Sequence, residues 1–187
     1  MDPRGFALFD TPIGACGITW GGQGIVGLQL PEASPDATRA RVRRRWPDAQ
    51  EAAPPADARR AIDKVLALLK DGTTDLADIP LDLGAVPEFH RKVYDVARTI
   101  PPGQTMTYGE IAKRLGVPHE SREVGQALGH NPIAIIVPCH RVLGADGKMG
   151  GFSANGGVST KRRMLEIERA PAVGAGPLFE VMQPRNG

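Results

Sequence analysis

The segment Ile133-Ala-Ile-Ile-Val-Pro-Cys-His-Arg-Val142 constrains the fold more than any other part of the chain. It begins with an apolar run rich in Ile and Val, which is typical of a short buried strand. Pro138 has no backbone N–H and therefore ends such a strand. The sequence thus predicts a buried strand that leads directly to Cys139, His140 and Arg141.

Cys139 is a candidate nucleophile, although a free cysteine after an apolar run is also often a buried core residue. Cationic neighbours lower the pKa of a thiol and favour the reactive thiolate, and His140 and Arg141 provide such groups. In an extended segment, however, adjacent side chains point to opposite sides. Communication between the Cys139 thiol and the His140 imidazole therefore requires a bridging water or a sharp turn after Pro138.

Composition restricts the class of protein. The 187 residues suffice for one large or two small domains, and 41% hydrophobic with 24% charged residues is ordinary for a globular protein. No apolar run reaches transmembrane length and no signal peptide is visible, so we expect a cytoplasmic protein with no membrane partner. The two cysteines, Cys16 and Cys139, form no CxxC pair, so no zinc site of the usual spacing is predicted.

Charge is distributed unevenly along the chain. Residues 88–170 contain 12 Lys/Arg and 8 Asp/Glu, a net +4, whereas residues 1–87 contain 10 and 12, a net −2. The half with the candidate nucleophile is the basic one, which favours a polyanionic partner. A further basic run, Arg39 to Arg45, lies on a helix predicted to begin at Ser34-Pro35. A solvent-exposed helix face is the favoured interpretation of this run, and nucleic-acid binding is the alternative.

The periodicity predicts two domains. In residues 6–30, extended apolar pieces alternate with glycine turns, which predicts β-hairpins, and an amphipathic helix is expected over 57–70. A change of composition near Gly84–Pro87 suggests domains at residues 1–84 and 85–170, followed by a tail at 171–187. In the second domain two short helices, within 105–116 and 121–129, form a helix-turn-helix pattern. Many helical hairpins share that pattern, so DNA binding stays open on this evidence alone.

Several motifs together resemble the O6-alkylguanine-DNA alkyltransferases, also called methylated-DNA–protein-cysteine methyltransferases. The most specific is Pro138-Cys-His-Arg141, preceded by Asn131-Pro and followed by Gly-Gly-Phe-Ser153. Supporting matches are Thr107-Tyr-Gly-Glu-Ile-Ala112 and Lys161 through Glu168. The family implies an α/β (α+β) fold. Its amino-terminal domain is an RNase-H-like sheet with helices, and its carboxy-terminal domain is mainly helical, with a helix-turn-helix and a short strand that leads to the cysteine.

This resemblance, which covers about residues 79–170, implies a DNA repair protein that directly reverses O6-alkylguanine damage and also O4-alkylthymine damage. Cys139 would attack the alkyl carbon and keep the group as a thioether, so each molecule reacts once and no metal or organic cofactor takes part. Glu168 would hold His140, and His140 would draw the thiol proton through a water. Glu166 is the alternative partner for His140.

The family also implies how damaged double-stranded DNA is bound. The target carbon lies on a base inside the duplex, so the nucleotide must leave the stack, and the second helix of the helix-turn-helix lies in the minor groove. Arg122 would fill the space that the base has left, and Asn131 would hold the turn that places Cys139. Each of these residues could instead have only a structural role, in packing, in helix capping or as a surface charge. We also expect a monomer. The residues assigned to DNA or base binding are Tyr108, Arg122, Gly125, Asn131, Arg141, Phe152, Ser153 and Lys161.

The chain departs from the family pattern at two places. Ala154-Asn155 lengthens the loop after Ser153, which bears on the shape of the base pocket and on tolerance for larger alkyl groups. Glu120 and Glu123 flank Arg122 on the presumed DNA-facing helix, and negative charge beside phosphates weakens binding. We therefore expect weaker or more salt-sensitive duplex binding than is typical of the family.

Two other functions remain open from the sequence. A DNA-binding module that senses alkyl damage without chemistry would need only the helix-turn-helix, and the presence of Cys139 argues against it. A hydrolytic Cys–His enzyme would need a histidine distant in sequence and an oxyanion hole. The candidates His90, His119 and His130 have no evident partner, so alkyl transfer is the favoured function.

Overall fold

A four-stranded sheet organises the amino-terminal half of the computed structural model, which describes residues 4–149 and 157–171. The sheet order is β3-β2-β1-β4; β1–β2 and β2–β3 are antiparallel, and β4 is parallel to β1. The strands are β1 (Gly5–Thr11), β2 (Gly14–Gly21), β3 (Gly24–Gln29) and β4 (Gln50–Glu51). Two helices pack on them, α1 (Pro35–Arg45) and α2 (Ala56–Asp71).

The two faces of the sheet belong to different cores, because successive side chains of a strand point to opposite faces. On one face, Phe6 and Val26 pack with Val42 of α1 and with Trp46. On the other face, Ile18 and the side chains two positions before and after it in β2 join a large cluster with the apolar side of α2. This alternation explains why α1 and α2 lie on opposite sides of the sheet.

The carboxy-terminal half is mainly helical. Its helices are α3 (Glu88–Ala97), α4 (Tyr108–Arg114), α5 (Ser121–Gly129) and α6 (Val158–Ile167), and a short parallel pair is formed by β5 (Met106–Thr107) and β6 (Val142–Leu143). α4 starts with a capping box, in which the Thr107 hydroxyl accepts from the Glu110 N–H and the Glu110 carboxylate accepts from the Thr107 N–H. The Tyr94 hydroxyl of α3 donates to the Ala127 carbonyl of α5 at 2.6 Å and ties the helix pair to α3.

The prediction of a regular strand over residues 133–137 is wrong. The segment does meet the sheet, because the Leu28 N–H of β3 donates to the Pro132 carbonyl at 2.9 Å and the Ala134 N–H donates to the Leu28 carbonyl at 3.2 Å. Only Ile133 bridges to β3, however, and the chain then turns back on itself. The apolar run is buried as expected, but turns rather than a strand ladder pair its backbone.

The turn consists of two successive tight bends. Ile135 has φ of 70°, and across it the Ile136 N–H donates to the Ala134 carbonyl at 2.8 Å. The same two-residue pattern recurs across Pro138, where the Cys139 N–H donates to the Val137 carbonyl at 2.8 Å. Both are γ-turns, and the positive-φ form is rare and strained for a β-branched residue.

One hydrophobic cluster extends through both halves of the chain, and its members include Ile18 and Val65 from the first half and Val93, Ile111 and Val124 from the second. The division into domains at residues 1–84 and 85–170, with a tail from 171, stays a prediction. In the described residues, 4–149 and 157–171, no helix is long and apolar enough to cross a bilayer.

Candidate active site

Cys139 begins a single 3-10 turn, Cys139–Arg141, immediately after the bend at Pro138. A sharp turn after Pro138, which is one of the two arrangements expected from the sequence, is therefore present. Cys139 is buried, at 8% exposure, and lies in the wall of a pocket. The 3-10 turn also directs His140 and Arg141 away from the pocket toward the end of α6, where both reach Glu168.

Asn131 ties together both ends of the turn that carries Cys139. Its side-chain oxygen accepts from the Ile133 N–H at 2.9 Å, and its side-chain nitrogen donates to the Val137 carbonyl at 2.9 Å. The two backbone groups that this single side chain pairs are thus four positions apart in the chain. The turn reaches Cys139 with its backbone groups satisfied although it lies in the core.

Glu168, at the carboxyl end of α6, is the partner of His140, and Glu166 is exposed on the same helix. His140 Nε2 lies 2.8 Å from Glu168 Oε1. Arg141 binds the same carboxylate through two nitrogens, Nε at 2.9 Å from Oε2 and Nη2 at 2.8 Å from Oε1. All three side chains are almost fully buried, so one carboxylate holds two neighbouring donors in a dry environment.

The electrostatics of this triad favour a neutral imidazole beside an ionised carboxylate. Burial alone would raise the pKa of Glu168, but the hydrogen bonds from His140 and Arg141, together with the charge of Arg141, lower it to about 2. Burial lowers the pKa of His140, and the contact with Glu168 opposes that change. With Nε2 donating to Glu168, the other ring nitrogen, Nδ1, can accept a proton. Nδ1 is buried and has no hydrogen-bond partner among the described residues.

The Cys139 thiol is not activated as the sequence suggested. Burial raises its pKa, while a hydrogen bond from Asn131 and the charge of Lys161 act in the opposite direction. The expectation that His140 and Arg141 lower this pKa by their charge is wrong, because Arg141 is paired with Glu168 and burial favours neutral His140. The thiol is therefore protonated at rest and has to lose its proton as it reacts.

Arg141 does not face DNA, and its assignment to DNA binding is corrected by the structure. Its side chain is 5% exposed, and besides its two bonds to Glu168 it donates from Nη1 to the Ile100 carbonyl at 2.7 Å. A guanidinium with these acceptors has no free side for a phosphate. Its function in this structure is to bind and charge-balance Glu168.

Lys161, in the first turn of α6, is another buried cation. Its ammonium donates to the Val142 carbonyl at 2.7 Å, and the residue is 1% exposed. Burial lowers the pKa of Lys161, while the nearby Cys139 thiol raises it. Lys161 thus lies within electrostatic reach of the thiol and would stabilise a thiolate there.

Two of the remaining predicted residues line the pocket that holds Cys139. Tyr108 and Gly125 line the side formed by α4 and α5, and Arg122 is exposed on α5. Phe152 and Ser153, as well as the inserted Ala154-Asn155, lie outside the described residues. The full lining is Leu28, Gln29, Leu30, Arg41, Arg45, Tyr108, Gly125, Leu128, Gly129, Asn131, Ala134, Cys139 and Lys161.

One part of the pocket lining was missed by sequence reasoning. It is formed by the end of β3 and by Arg41 and Arg45 of α1, more than 90 residues before the cysteine. The available signal was the basic run on α1, in which these two arginines are four positions apart and so lie on one helix face. The run was interpreted as a solvent-exposed face because nothing in the sequence indicated which element α1 would meet.

The fold and site together define a class of protein in which a single buried cysteine reacts at a pocket beside a pair of short helices. Comparison with known proteins gives the family. A family model described as 6-O-methylguanine DNA methyltransferase, DNA binding domain, matches residues 88–170. The methylated-DNA–protein-cysteine methyltransferase of Mycobacterium bovis is 40% identical over 170 residues, which cover 89% of this chain and 94% of the relative. That of Methanothermobacter thermautotrophicus is 34% identical over 157 residues, 84% of this chain and 81% of the relative.

The structural comparison agrees with these relatives. A crystal structure of Mycobacterium tuberculosis OGT in complex with DNA matches with a TM-score of 0.71 at 36% sequence identity, covering 91% of this chain and 97% of that one. The chain belongs to the methylated-DNA–protein-cysteine methyltransferase family. The resemblance inferred from the motifs and the mixed α/β fold that it implied are both confirmed.

Proposed function

We propose that this protein repairs O6-alkylguanine, and also O4-alkylthymine, in double-stranded DNA by moving the alkyl group to Cys139 once per molecule. The observation that carries the proposal is the placement of Cys139, a thiol in a pocket beside a neutral His140 that is held by Glu168. A family whose relatives are named for transfer from methylated DNA to a protein cysteine supports the same reaction.

The proposed step uses these three residues. A sulfur–carbon bond forms between Cys139 Sγ and the alkyl carbon as the carbon–O6 bond breaks, and the electron pair of that bond stays on the guanine. The thiol proton passes through a water to Nδ1 of His140, while Glu168 stabilises the imidazolium. The guanine finally takes up one proton, so charge balances. Lys161 stabilises the sulfur while it is anionic, and no cofactor is required because the protein is the acceptor.

DNA binding is assigned to the surface around α4 and α5. Cys139 lies inside a pocket lined by Tyr108 and Gly125, so the target nucleotide would leave the duplex to reach it, and we assign the filling of the vacated space to Arg122, which is exposed on α5. Glu120 and Glu123 are exposed beside Arg122, and the expected salt-sensitive binding stays a prediction. We also propose that the protein acts in the reducing cytoplasm, because the reaction consumes a free thiol. The expected monomer stays a prediction.

The test is the intact mass of the protein after incubation with duplex DNA that contains O6-methylguanine. We expect a gain of one methyl group and no more, and no gain in Cys139→Ala. Cys16→Ala is the matched control: burial raises the pKa of Cys16 to about 12, so this thiol should not react and its removal should leave the gain unchanged. Unchanged mass in a protein that still binds the DNA would overturn alkyl transfer and favour a damage-sensing module.

A further inference from the structure

The basic run on α1 divides into two faces with different surroundings. On one face, Arg39 Nε lies 3.1 Å from Glu51 Oε2 and also pairs with Asp36 at 2.8 Å. Arg43 reaches the same Glu51 oxygen at 3.3 Å and stacks over the Phe6 ring at 5.8 Å. The charges of these two arginines are therefore paired within the amino-terminal half, where their side chains contribute to its packing.

Arg41 and Arg45 occupy another face and lack such partners. They are four residues apart on one helix, both are exposed, and within residues 4–149 and 157–171 neither forms an ion pair. The Arg45 guanidinium stacks on Trp46 at 5.2 Å, and its Nη2 lies 3.5 Å from the His130 carbonyl. Like charges at this spacing repel each other, and an anion bound by both would relieve that repulsion.

The position of this pair relates it to the reaction. Arg41 and Arg45 of α1 line the pocket that contains Cys139, together with Tyr108 of α4 and Gly125 of α5. A nucleotide whose base reaches Cys139 therefore lies between α1 and the α4–α5 pair, and its phosphates remain at the exposed mouth. Planar guanidinium groups suit phosphate oxygens because they donate two parallel hydrogen bonds.

We propose that Arg41 and Arg45 bind backbone phosphates of the DNA strand that carries the extrahelical nucleotide. The amino-terminal half then forms the second side of the DNA site, opposite the helix-turn-helix. This inference rests on the proposed function, because it requires a nucleotide in the Cys139 pocket. The two arginines are positioning residues: they hold the strand, and the bond changes occur at Cys139.

The test compares the double variant Arg41→Ala/Arg45→Ala with Arg43→Ala/Arg44→Ala, which removes the same charge from the same helix away from the pocket. Binding to duplex DNA with O6-methylguanine is measured across salt concentrations. Each phosphate contact contributes about 0.9 to the slope of log K against log salt, so the first variant should lose about 2 from that slope and the control much less. Arg41→Lys/Arg45→Lys should keep the slope and lose part of the affinity.

A second readout separates strand binding from pocket chemistry. Alkylation of Cys139 by duplex DNA below saturation should slow in the Arg41→Ala/Arg45→Ala variant by the same factor as its affinity falls. Alkylation by the free base O6-methylguanine, which has no phosphate, should slow by a much smaller factor than alkylation by duplex DNA. An unchanged salt slope, or an equal loss with the free base, would overturn the inference. If wild-type Cys139 is not alkylated by either substrate, the proposed function fails instead, and the salt slope still reports on the arginines.

Discussion

Glu168 is the residue on which the site depends most, because one buried carboxylate serves two neighbours. It orients His140 through Nε2 and neutralises Arg141 through two hydrogen bonds. A buried charge is tolerated only when it is paired and hydrogen-bonded. Loss of the Glu168 charge would therefore affect both the proton acceptor and the stability of the fold.

We predict that Glu168→Gln slows alkyl transfer on the order of 100-fold and destabilises the protein by about 3 kcal/mol, because it leaves Arg141 buried without its counter-charge. The measurements are single-turnover alkylation and urea unfolding at neutral pH. Glu166→Gln, on the exposed side of the same helix, is the control and should change stability by no more than about 0.5 kcal/mol.

The pH dependence of the unfolding free energy, compared between wild type and Glu168→Gln, tests the charge assigned to Glu168. The pKa of Glu168 falls from its ordinary 4.5 to about 2 in the folded state. A depressed carboxyl pKa contributes stability that is fully present above pH 4.5 and is lost as the pH falls toward 2. The difference in unfolding free energy between wild type and Glu168→Gln should therefore be constant near neutrality and shrink in acid. A difference that grew in acid would contradict this assignment of charge.

At the scale of elements, the turn over residues 131–139 marks where prediction from sequence succeeded and where it failed. The apolar pattern correctly predicted burial and a link to the sheet. It did not predict the turn, because runs of Ile and Val favour strands, whereas Ile135 is held at a positive φ that costs of order 1–3 kcal/mol. Tertiary contacts and the Asn131 side chain compensate for that cost, and neither can be derived from local propensity.

We predict that Asn131→Ala destabilises the protein by about 2–4 kcal/mol, because the buried Ile133 N–H and Val137 carbonyl each lose a partner. Transfer to Cys139 should also slow, since the turn that carries the thiol is released. Gln126→Ala, on the exposed side of α5, is the control. Urea unfolding and single-turnover alkylation by the free base measure both effects. Wild-type stability in Asn131→Ala would mean that the turn is held by its apolar packing alone.

For the whole molecule, the sequence motifs predicted which residues form the site, whereas tertiary packing determines which other residues surround them. The pairing of His140 with Glu168 was inferred from family spacing, 28 positions apart in the chain, and the geometry agrees with that choice over Glu166. The burial of Arg141 and the approach of Arg45 to the pocket were not inferred. Both depend on which elements meet in three dimensions. The identity of a charged residue in a motif does not show whether its side chain faces DNA or a buried carboxylate.

The two halves of the chain also meet behind the site, at Gly72, which ends α2 with φ of 72°. A Cβ at this position would lie 2.1 Å from the Ile167 carbonyl oxygen and 3.2 Å from the Glu168 Cα. We predict that Gly72→Ala costs about 1–2 kcal/mol for the left-handed conformation and about 1–3 kcal/mol more for the overlap, and that it displaces Glu168 and slows alkylation by the free base.

Gly116→Ala separates these two effects. Gly116 has φ of 76°, close to that of Gly72, but a Cβ there meets no atom of the described residues within 4 Å. Its variant should show only the conformational cost, about 1–2 kcal/mol, and should react with the free base at the wild-type rate. Urea unfolding and single-turnover alkylation of both variants make the comparison. Equal losses of stability at the two glycines, with equal rates, would mean that the contact between α2 and α6 yields without moving Glu168. The amino-terminal half would then not support this carboxylate.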